Sequence, residues 1–320
     1  MKAIQISRFG GPDTLELVDL PMPRPGPGQV LIRVRACGVN FAETLMREDN
    51  YVASYQLPAT PGSEVAGIVA ALGEGVEGLA VGQRVGAVLA AARQLTGGYA
   101  DYVLADAAVV AALPDGVDFA PATGLLVQGL TALYLVSAVP PSGRRVLVTA
   151  AGGGVGLLLI QLLRNAGAAH VTAAASSDTK RAAATDAGAD AAIAYADIAG
   201  AQYDLIFDSV GSDVLPRCLE ALAPKGTVVT YGALNLQSFE LGVAELRRMV
   251  FGNQSLRGFA FGPLVDLATL RGDLETLFEL YRSGEINVAV HTLPLSEASK
   301  AHQLLAERAS VGKLVLVPGA

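Results

Sequence analysis

Hydrophobic and polar positions in the middle of the chain alternate in a way that predicts a strand, a turn, a helix and a second strand. Residues 146–148 are an apolar run short enough for a buried parallel strand. A glycine-rich turn follows at residues 150–156, and residues 157–167 then form about three helical turns of mostly apolar side chains. A second apolar run occupies residues 170–175. This order is typical of one unit of a parallel sheet covered by a helix.

The same alternation continues towards the C-terminus, whereas the N-terminal part contains short strands separated by spacers rich in glycine and proline. We expect strands at residues 2–7, 15–19, 29–36, 191–195, 203–210, 227–231, 255–261, 291–295 and 314–317. We expect helices from about residue 118, at 213–222, at 264–283, and at 296–306 with Ser296 as the N-cap. The sequence therefore predicts an α/β protein in which an irregular β-rich domain accompanies a doubly wound parallel-sheet (Rossmann) domain. The predicted boundaries are 1–120 for the first domain, 121–263 for the second, and 264–320 for a return to the first.

Composition restricts the classes of function. The chain has 320 residues, of which 52% are hydrophobic and 17% charged, so it can bury a large core. A net charge of −7 argues against a nucleic-acid partner. Its two cysteines, Cys37 and Cys218, are too few for a disulfide framework. Because the N-terminus does not resemble a signal peptide and the apolar helix after Leu157 is too short to span a membrane, we expect a cytoplasmic protein without a membrane partner.

The glycine-rich turn has the chemistry of a dinucleotide site. Ala151, Gly153 and Gly156 give the spacing A-x-G-x-x-G between a predicted strand and a predicted helix. Small residues let the backbone approach a pyrophosphate, and the helix start supplies free N–H groups and the positive end of the helix dipole. The alternative is a glycine-rich turn of an α/β protein that binds no nucleotide.

Residues after the second strand of this unit predict which dinucleotide is bound. An acidic residue about twenty positions past the glycines would grip a ribose 2′-hydroxyl. This chain instead has Ser176 followed by Lys180 and Arg181, which suit a 2′-phosphate. Asp178 weakens the argument, although acidic residues are common in the first turn of a helix. We therefore expect NADPH rather than NADH.

Several segments taken together resemble the zinc-free quinone oxidoreductases of the medium-chain dehydrogenase/reductase superfamily, such as zeta-crystallin. The resemblance runs from end to end and rests on CGVNFAETLMREDNY, PGSEVAGIV, LVQGLTALYLV, VLVTAAGGGVG, SSDTKRAAATDAGAD and GKLVLV. It implies that the β-rich domain is a GroES-like catalytic domain and that the parallel-sheet domain binds NADPH.

A metal-dependent reaction is disfavoured by the residues at the positions of the zinc ligands. Zinc-dependent members place a cysteine three residues after the first cysteine of CGVC and a His-Glu pair in GHE, whereas this chain has Asn40 and Ser63-Glu64 there. An amide and a hydroxyl are poor zinc ligands beside a thiolate and an imidazole. The alternative is a carboxylate-rich site that uses Glu43 or Glu64 with a distant histidine. The three histidines are expected to be ordinary residues of strands and helices, namely His170, His291 and His302.

The resemblance also implies the residues of the site. Asn40 is expected to be a polar positioning residue, and Tyr51 lines the site and donates a proton; alternatively, Asn40 only bridges its own loop and Tyr51 only stacks on the cofactor. The cofactor-binding residues implied by the matching motifs are Asn40, Tyr51, Thr131, Gly152, Gly153, Gly154, Val155, Ser176, Lys180, Tyr195, Ser209, Gly232, Phe259 and Lys313. Phe259 is equally suited to the core or to a dimer interface.

Three functions are compatible with these features. The first is NADPH-dependent reduction of a quinone or an α,β-unsaturated carbonyl, with a homodimer formed through residues 255–261. The second is reduction of an enoyl thioester, for which Arg247 and Arg248 could contribute a basic channel. The third is a structural or RNA-binding relative that binds NADPH without turnover, which the acidic composition disfavours.

Overall fold

The structure is a computed structural model that describes residues 1–232 and 240–319. The chain divides into two compact units. The first unit consists of Met1–Leu130, Val265–Gly284 and Val288–Ala320, and the second of Thr131–Leu264 and Glu285–Asn287. Most of the chain after residue 264 therefore lies in the first unit.

The elements follow one another as short strands, then alternating strands and helices, then a mixed C-terminal part. The strands are β1 Lys2–Gln5, β2 Glu16–Asp19, β3 Gln29–Val39, β4 Val65–Leu72, β5 Arg84–Ala87, β6 Tyr102–Asp106, β7 Val110–Ala112, β8 Arg145–Val148, β9 His170–Ala174, β10 Ala191–Ile193, β11 Tyr203–Asp208, β12 Leu222–Thr230, β13 Ser255–Gly258, β14 Val290–Pro294 and β15 Lys313–Val317. The helices are α1 Phe41–Arg47, α2 Phe119–Gly124, α3 Leu130–Ala138, α4 Gly154–Asn165, α5 Asp178–Asp186, α6 Val214–Glu220, α7 Val243–Gly252, α8 Leu270–Arg282 and α9 Ala298–Ala306, and a single π turn, Leu125–Gly129, joins α2 to α3.

The first unit is built on a seven-stranded sheet in the order β14-β15-β3-β4-β5-β7, with β6 also paired to β3. Its pairs are antiparallel except for β14 with β15. Strands β3 and β4 contribute alternate apolar side chains to a core that α9 covers, with Ile32, Val34 and Val65 fully buried. The sheet holds the C-terminal strand β15 against β3, so residues far apart in sequence lie side by side.

The second unit has a six-stranded parallel sheet in the order β10-β9-β8-β11-β12-β13. Its central strands are apolar on both faces, as expected for strands covered by helices on each side. Leu147, Ile206 and Val228 are fully buried. The expected α/β class, with a β-rich domain and a parallel-sheet domain, is confirmed.

Several element boundaries differ from the sequence prediction because tertiary pairing extends or shifts them. Strand β3 continues through Cys37 to Val39, beyond its predicted end at residue 36, because these residues pair with β15. Helix α9 begins at Ala298 with Glu297 as its N-cap, since residues 295–297 form a 3-10 turn, so the prediction that Ser296 caps it was wrong. Helix α8 begins at Leu270 rather than residue 264.

Helix α7 was not predicted, although its apolar residues recur at helical spacing. Val243, Leu246, Val250 and Phe251 are exposed, the last by 84% of its surface. The first three of them recur at intervals of three and four residues, which is the pattern of an amphipathic helix, so the sequence carried a signal for α7 that the prediction overlooked.

One helical stretch, residues 119–138, is long and apolar enough by length and composition to cross a membrane. Half of its most apolar window is buried inside the protein, as is common for a core helix.

Candidate active site

The first unit contains a group of buried polar side chains around Asn40. Asn40 lies at the junction of β3 and α1, where its backbone N–H donates to Glu43 Oε2 at 2.9 Å. This bond satisfies one of the free donors at a helix start and fixes the backbone of Asn40. Only 8% of Asn40 is exposed.

The side-chain amide of Asn40 is held at both ends. Lys313 Nζ donates to Asn40 Oδ1 at 2.7 Å, and Asn40 Nδ2 donates to Glu64 Oε1 at 2.8 Å. A longer contact of 3.4 Å joins Asn40 Nδ2 to Ser63 Oγ. Lys313 also forms an ion pair with Glu64 in which both side chains are fully buried. The structure thus brings together two predicted site residues, Asn40 and Lys313, that are 273 positions apart.

Glu64 links this group to the π turn. Its second oxygen, Oε2, accepts a hydrogen bond of 2.7 Å from the backbone N–H of Val127. The ion pair lies so close to β3 that a Cβ atom at Gly38 would overlap with Glu64 and would come within 2.7 Å of Lys313 Cε. A glycine is therefore required at Gly38 for steric reasons.

Glu43 is the second buried carboxylate of this unit, and four donors surround it. Besides Asn40 N–H, it accepts hydrogen bonds from the backbone N–H of Ser63 at 3.0 Å, from Ser63 Oγ at 2.7 Å and from Tyr99 OH at 2.7 Å. Tyr99 OH is in turn 3.0 Å from His302 Nε2. These hydrogen bonds form a series that links α1 to α9.

The partners of His302 determine its protonation. Arg47 Nη1 lies 3.2 Å from His302 Nδ1, and a guanidinium only donates, so Nδ1 must accept and Nε2 carries the proton. Burial and the nearby Arg47 lower the pKa of His302 to about 3. Each donor in this series of hydrogen bonds, from Arg47 through His302 to Tyr99, therefore points towards Glu43. Burial raises the pKa of Glu43 above its ordinary value, and the hydrogen bonds that it accepts offset part of this increase. Sequence reasoning had treated His302 as an ordinary helix residue and had not identified Arg47 or Tyr99.

Tyr51 lies in the segment after α1 and is half-buried against the core of the first unit. Burial raises its pKa above the ordinary value, so the phenol is protonated at neutral pH and can act as a donor.

In the second unit, the glycine turn between β8 and α4 has the close packing that a dinucleotide requires. A Cβ atom at Gly152 would lie 2.6 Å from Lys180 Cβ, and one at Gly156 would lie 2.6 Å from the carbonyl oxygen of Ala150. Ala150 itself adopts a left-handed conformation with φ of 47°. Helix α4 starts at Gly154 after Gly153, which has no side chain to cap the helix. The start of α4 fits a pyrophosphate, because its first N–H groups need an acceptor and residues 153 and 154 carry no side chains.

The residues expected near a 2′-phosphate are at the start of α5. Ser176 is exposed, Ser177 caps the helix by accepting from Lys180 N–H, and the stem of Lys180 crosses the glycine turn. Arg181 donates to the carbonyl of Ala175 at 3.1 Å and pairs with Asp178. Lys180 is therefore placed beside the turn, while the charge of Arg181 is shared with Asp178.

The other predicted cofactor residues of the second unit occupy several positions. Gly232 packs directly on Ser209, where a Cβ atom would overlap with the Ser209 carbonyl. Ser209 follows β11, whose end is fixed by the fully buried Asp208; this residue accepts from Thr149 Oγ1 at 2.6 Å and from the backbone N–H of Gly211 at 3.0 Å. Gly153, Gly154, Val155, Tyr195 and Phe259 are partly exposed, and Thr131 is buried.

The alternative of a carboxylate and histidine metal site does not match the contacts. Glu43 reaches His302 only through Tyr99, and Glu64 is paired with Lys313. Within residues 1–232 and 240–319, no three His, Cys, Asp or Glu side chains are grouped to hold a metal ion.

Comparisons with known proteins agree with this architecture. A family model described as an alcohol dehydrogenase GroES-like domain matches residues 26–115, and one described as a zinc-binding dehydrogenase matches residues 166–316. The chain is 35% identical over 330 residues to a probable quinone oxidoreductase of Schizosaccharomyces pombe, covering 98% of this chain and 96% of that protein.

Two solved structures are also similar over nearly the whole chain. The quinone oxidoreductase of Escherichia coli complexed with NADPH has a TM-score of 0.90 at 28% identity, covering 99% of this chain and 100% of that one. A mycobacterial protein complexed with NADPH has a TM-score of 0.88 at 34% identity, with the same coverage.

The buried His302 predicts how stability depends on pH. Because its folded pKa of about 3 is below the ordinary value of 6.5, the unfolded chain binds the extra proton first as the pH falls. Below pH 6.5 the wild type should therefore lose about 1.4 kcal/mol of unfolding free energy per pH unit more than a His302→Gln variant. Urea unfolding at intervals from pH 7.5 to 5 measures this. His291→Gln, at an exposed site, is the control, and parallel curves for the wild type and His302→Gln would contradict the assignment.

Proposed function

The chain belongs to the medium-chain dehydrogenase/reductase family that includes the quinone oxidoreductases, and we propose that it transfers hydride from NADPH to a quinone or to the conjugated double bond of an α,β-unsaturated carbonyl. Its relatives support the oxidoreductase class and the cofactor. The observation that carries the proposal is the glycine turn at Gly152, closed on one side by the stem of a lysine. This combination suits a dinucleotide with an additional phosphate.

NADPH, when bound, supplies the hydride, and the residues of this chain would hold it and deal with the charge that forms on the substrate. The glycine turn and the start of α4 accommodate the pyrophosphate, and Lys180 offers a cation for the 2′-phosphate. In the first unit, Asn40 offers a fixed amide and Tyr51 a protonated phenol. After hydride transfer the substrate carries negative charge, and hydrogen-bond donors that are already oriented stabilise it.

We propose that the reaction is zinc-independent, although one matching family model is named for zinc. The residues present do not fit the metal. Asn40 and Ser63 stand at two ligand positions, and the ammonium of Lys313 already binds Asn40 Oδ1 and Glu64 Oε1. A buried cation on these oxygens opposes a second one at the same place.

The substrate class can be decided by direct assay. We expect purified protein to oxidise NADPH with 1,4-benzoquinone or a simple enone faster than with crotonyl-CoA. A clear preference for crotonyl-CoA would instead support an enoyl-thioester reductase, and NADPH binding without turnover of any of these would support a non-enzymatic role. We place the protein in the cytoplasm as a further part of the proposal, since both cysteines are free and buried.

Lys180 should determine the cofactor preference. A charge-assisted contact to a phosphate contributes about 1.5–3 kcal/mol, so Lys180→Ala should raise the Kd for NADPH about tenfold or more. Lys180→Met is the sharper variant, because it keeps part of the stem that covers Gly152. Fluorescence titration with NADPH and NADH measures both affinities. The binding of NADH serves as the internal control, and equal losses for the two cofactors would show that Lys180 does not contact the 2′-phosphate.

Tyr51 should matter for enones more than for quinones. The anion formed from an enone must be protonated to complete the reduction, whereas a hydroquinone anion is stable enough to take its proton from water. Tyr51→Phe should therefore lower kcat for an enone about 10²-fold and leave quinone reduction nearly unchanged. Tyr55→Phe is the control, since the hydroxyl of Tyr55 is buried without a hydrogen-bond partner in the described residues. If both activities survive in Tyr51→Phe, Tyr51 is not the acid.

We propose a homodimer formed through the second unit. In the part of the chain that the structure describes, strand β13 is the last strand of its sheet, and helix α7, which precedes it in sequence, exposes Val250 and Phe251. An uncovered strand edge beside apolar side chains favours pairing with a second copy across a two-fold axis. Light scattering should show a dimer at micromolar concentration and a monomer for Val250→Asp/Phe251→Asp. Val81→Asp, at an isolated exposed position of the first unit, should remain dimeric. A monomeric wild type would refute the proposal.

A further inference from the structure

The orientation of the Asn40 amide is fixed by the chemistry of its partners. An ammonium has only hydrogen atoms to offer, so the Asn40 atom that faces Lys313 Nζ at 2.7 Å must be the oxygen. A carboxylate has only acceptors, so the atom that faces Glu64 Oε1 at 2.8 Å must be the nitrogen. Reversing the amide would set two acceptors against each other and two donors against each other.

We infer that Glu64 and Lys313 are positioning residues for the hydride-transfer reaction, which hold the Asn40 amide in the single orientation that the reaction requires. The inference rests on the proposed function and assigns to the two residues a role that acts through Asn40. Neither residue is expected to touch the substrate or the cofactor, because Glu64 is 0% and Lys313 1% exposed. We therefore assign Lys313 a positioning role in place of the cofactor contact that the resemblance implied.

Glu64 is suited to this role because it fixes three segments at once. Its Oε1 atom binds the side chains of Asn40 and Lys313, and its Oε2 atom binds the backbone of Val127 in the π turn. The junction of β3 and α1, the strand β15 and the π turn are therefore fixed to one carboxylate. The absence of a side chain at Gly38 lets this carboxylate lie against β3.

Stability alone does not account for the ion pair. Removing two charges from water is costly, and replacing a buried ion pair by apolar residues of similar volume is often neutral or stabilising. Apolar residues, however, cannot distinguish the oxygen of the Asn40 amide from its nitrogen, whereas the ion pair does. Misplacement of a reacting group by about 1 Å can cost about 10²-fold in rate, so an oriented amide has a value in catalysis that it lacks in folding.

The two hydrogen atoms of Asn40 Nδ2 are not bonded equally well. One hydrogen of Nδ2 is committed to Glu64, and the other has, among residues 1–232 and 240–319, only the contact of 3.4 Å with Ser63 Oγ. A contact of that length is weak and is easily exchanged for a better acceptor. The orientation imposed by Lys313 therefore makes an N–H donor, rather than a carbonyl oxygen, the less firmly bonded group of the amide.

The double variant Glu64→Gln/Lys313→Met tests the inference because it removes both charges together. The glutamine oxygen can still accept from Val127 N–H, which turns its NH₂ group towards Asn40 and reverses the preferred orientation of the Asn40 amide. We expect a thermal midpoint close to that of the wild type, an NADPH Kd within about twofold, and a kcat at least about tenfold lower. The primary isotope effect with C4-deuterated NADPH should increase, since hydride transfer becomes slower.

A matched control is Glu279→Gln/Arg282→Met, which removes a solvent-exposed ion pair of the first unit and should leave all four quantities unchanged. Wild-type kcat in the stably folded Glu64→Gln/Lys313→Met variant would overturn the inference. Lys313→Met alone should be less stable than the double variant, because it leaves the Glu64 charge buried and unpaired.

A measurement on the wild type keeps the inference testable if the double variant does not fold. The side-chain NH₂ resonances of Asn40, assigned by their loss in Asn40→Asp, should exchange with solvent much more slowly than those of the exposed Asn253. Equally fast exchange would mean that the amide is not held and would overturn the inference. This result is independent of the proposed function, which fails separately if the wild type neither binds NADPH nor reduces any of the three substrates.

Discussion

Two buried carboxylates, Glu43 and Glu64, impose the constraint on which the first unit depends. A carboxylate that is removed from water must be surrounded by donors or by a cation, otherwise its desolvation destabilises the fold by several kcal/mol. Glu43 meets this requirement with backbone and hydroxyl donors from three segments, and Glu64 meets it with an amide, a backbone N–H and the Lys313 ammonium. The packing of α1, β4, β15 and the π turn follows from satisfying these two groups.

The second unit is constrained by steric fit rather than by charge. Gly152, Gly156 and Gly232 each lie where a Cβ atom would overlap with a neighbour, and only the absence of a side chain lets the turns close on the ends of the strands. The glycine turn leads directly into α4, whose first backbone N–H groups need an acceptor such as a phosphate. A substitution at one of these glycines would therefore affect local packing and ligand affinity together.

Local patterns in the sequence were sufficient for the parallel sheet, because strand β8, the glycine turn and helix α4 are contiguous and each has its own signal. Asn40 and Lys313 were implied as site residues by the resemblance to the family and not by these local patterns. They did not show that these two side chains are bonded, since their contact depends on the pairing of β15 with β3. The network of Arg47, Tyr99 and His302 was missed for the same reason, because its members come from three distant segments. Helix α7 was missed although Val243, Leu246 and Val250 recur at the spacing of an amphipathic helix.

Lys313 both opposes metal binding at Asn40 and Glu64 and orients the Asn40 amide. A divalent cation bound to Asn40 Oδ1 and Glu64 Oε1 would have to displace an ammonium that already binds both oxygens. The ammonium balances a single carboxylate charge and has three directed hydrogen atoms, whereas a metal ion would accept electron pairs from any oxygen within reach. The lysine therefore selects the oxygen end of the amide and leaves the nitrogen end to Glu64 and Ser63. A site organised in this way offers a neutral, directed donor where a metal-dependent enzyme would offer a Lewis acid, which suits substrates whose developing anion is already stabilised by conjugation.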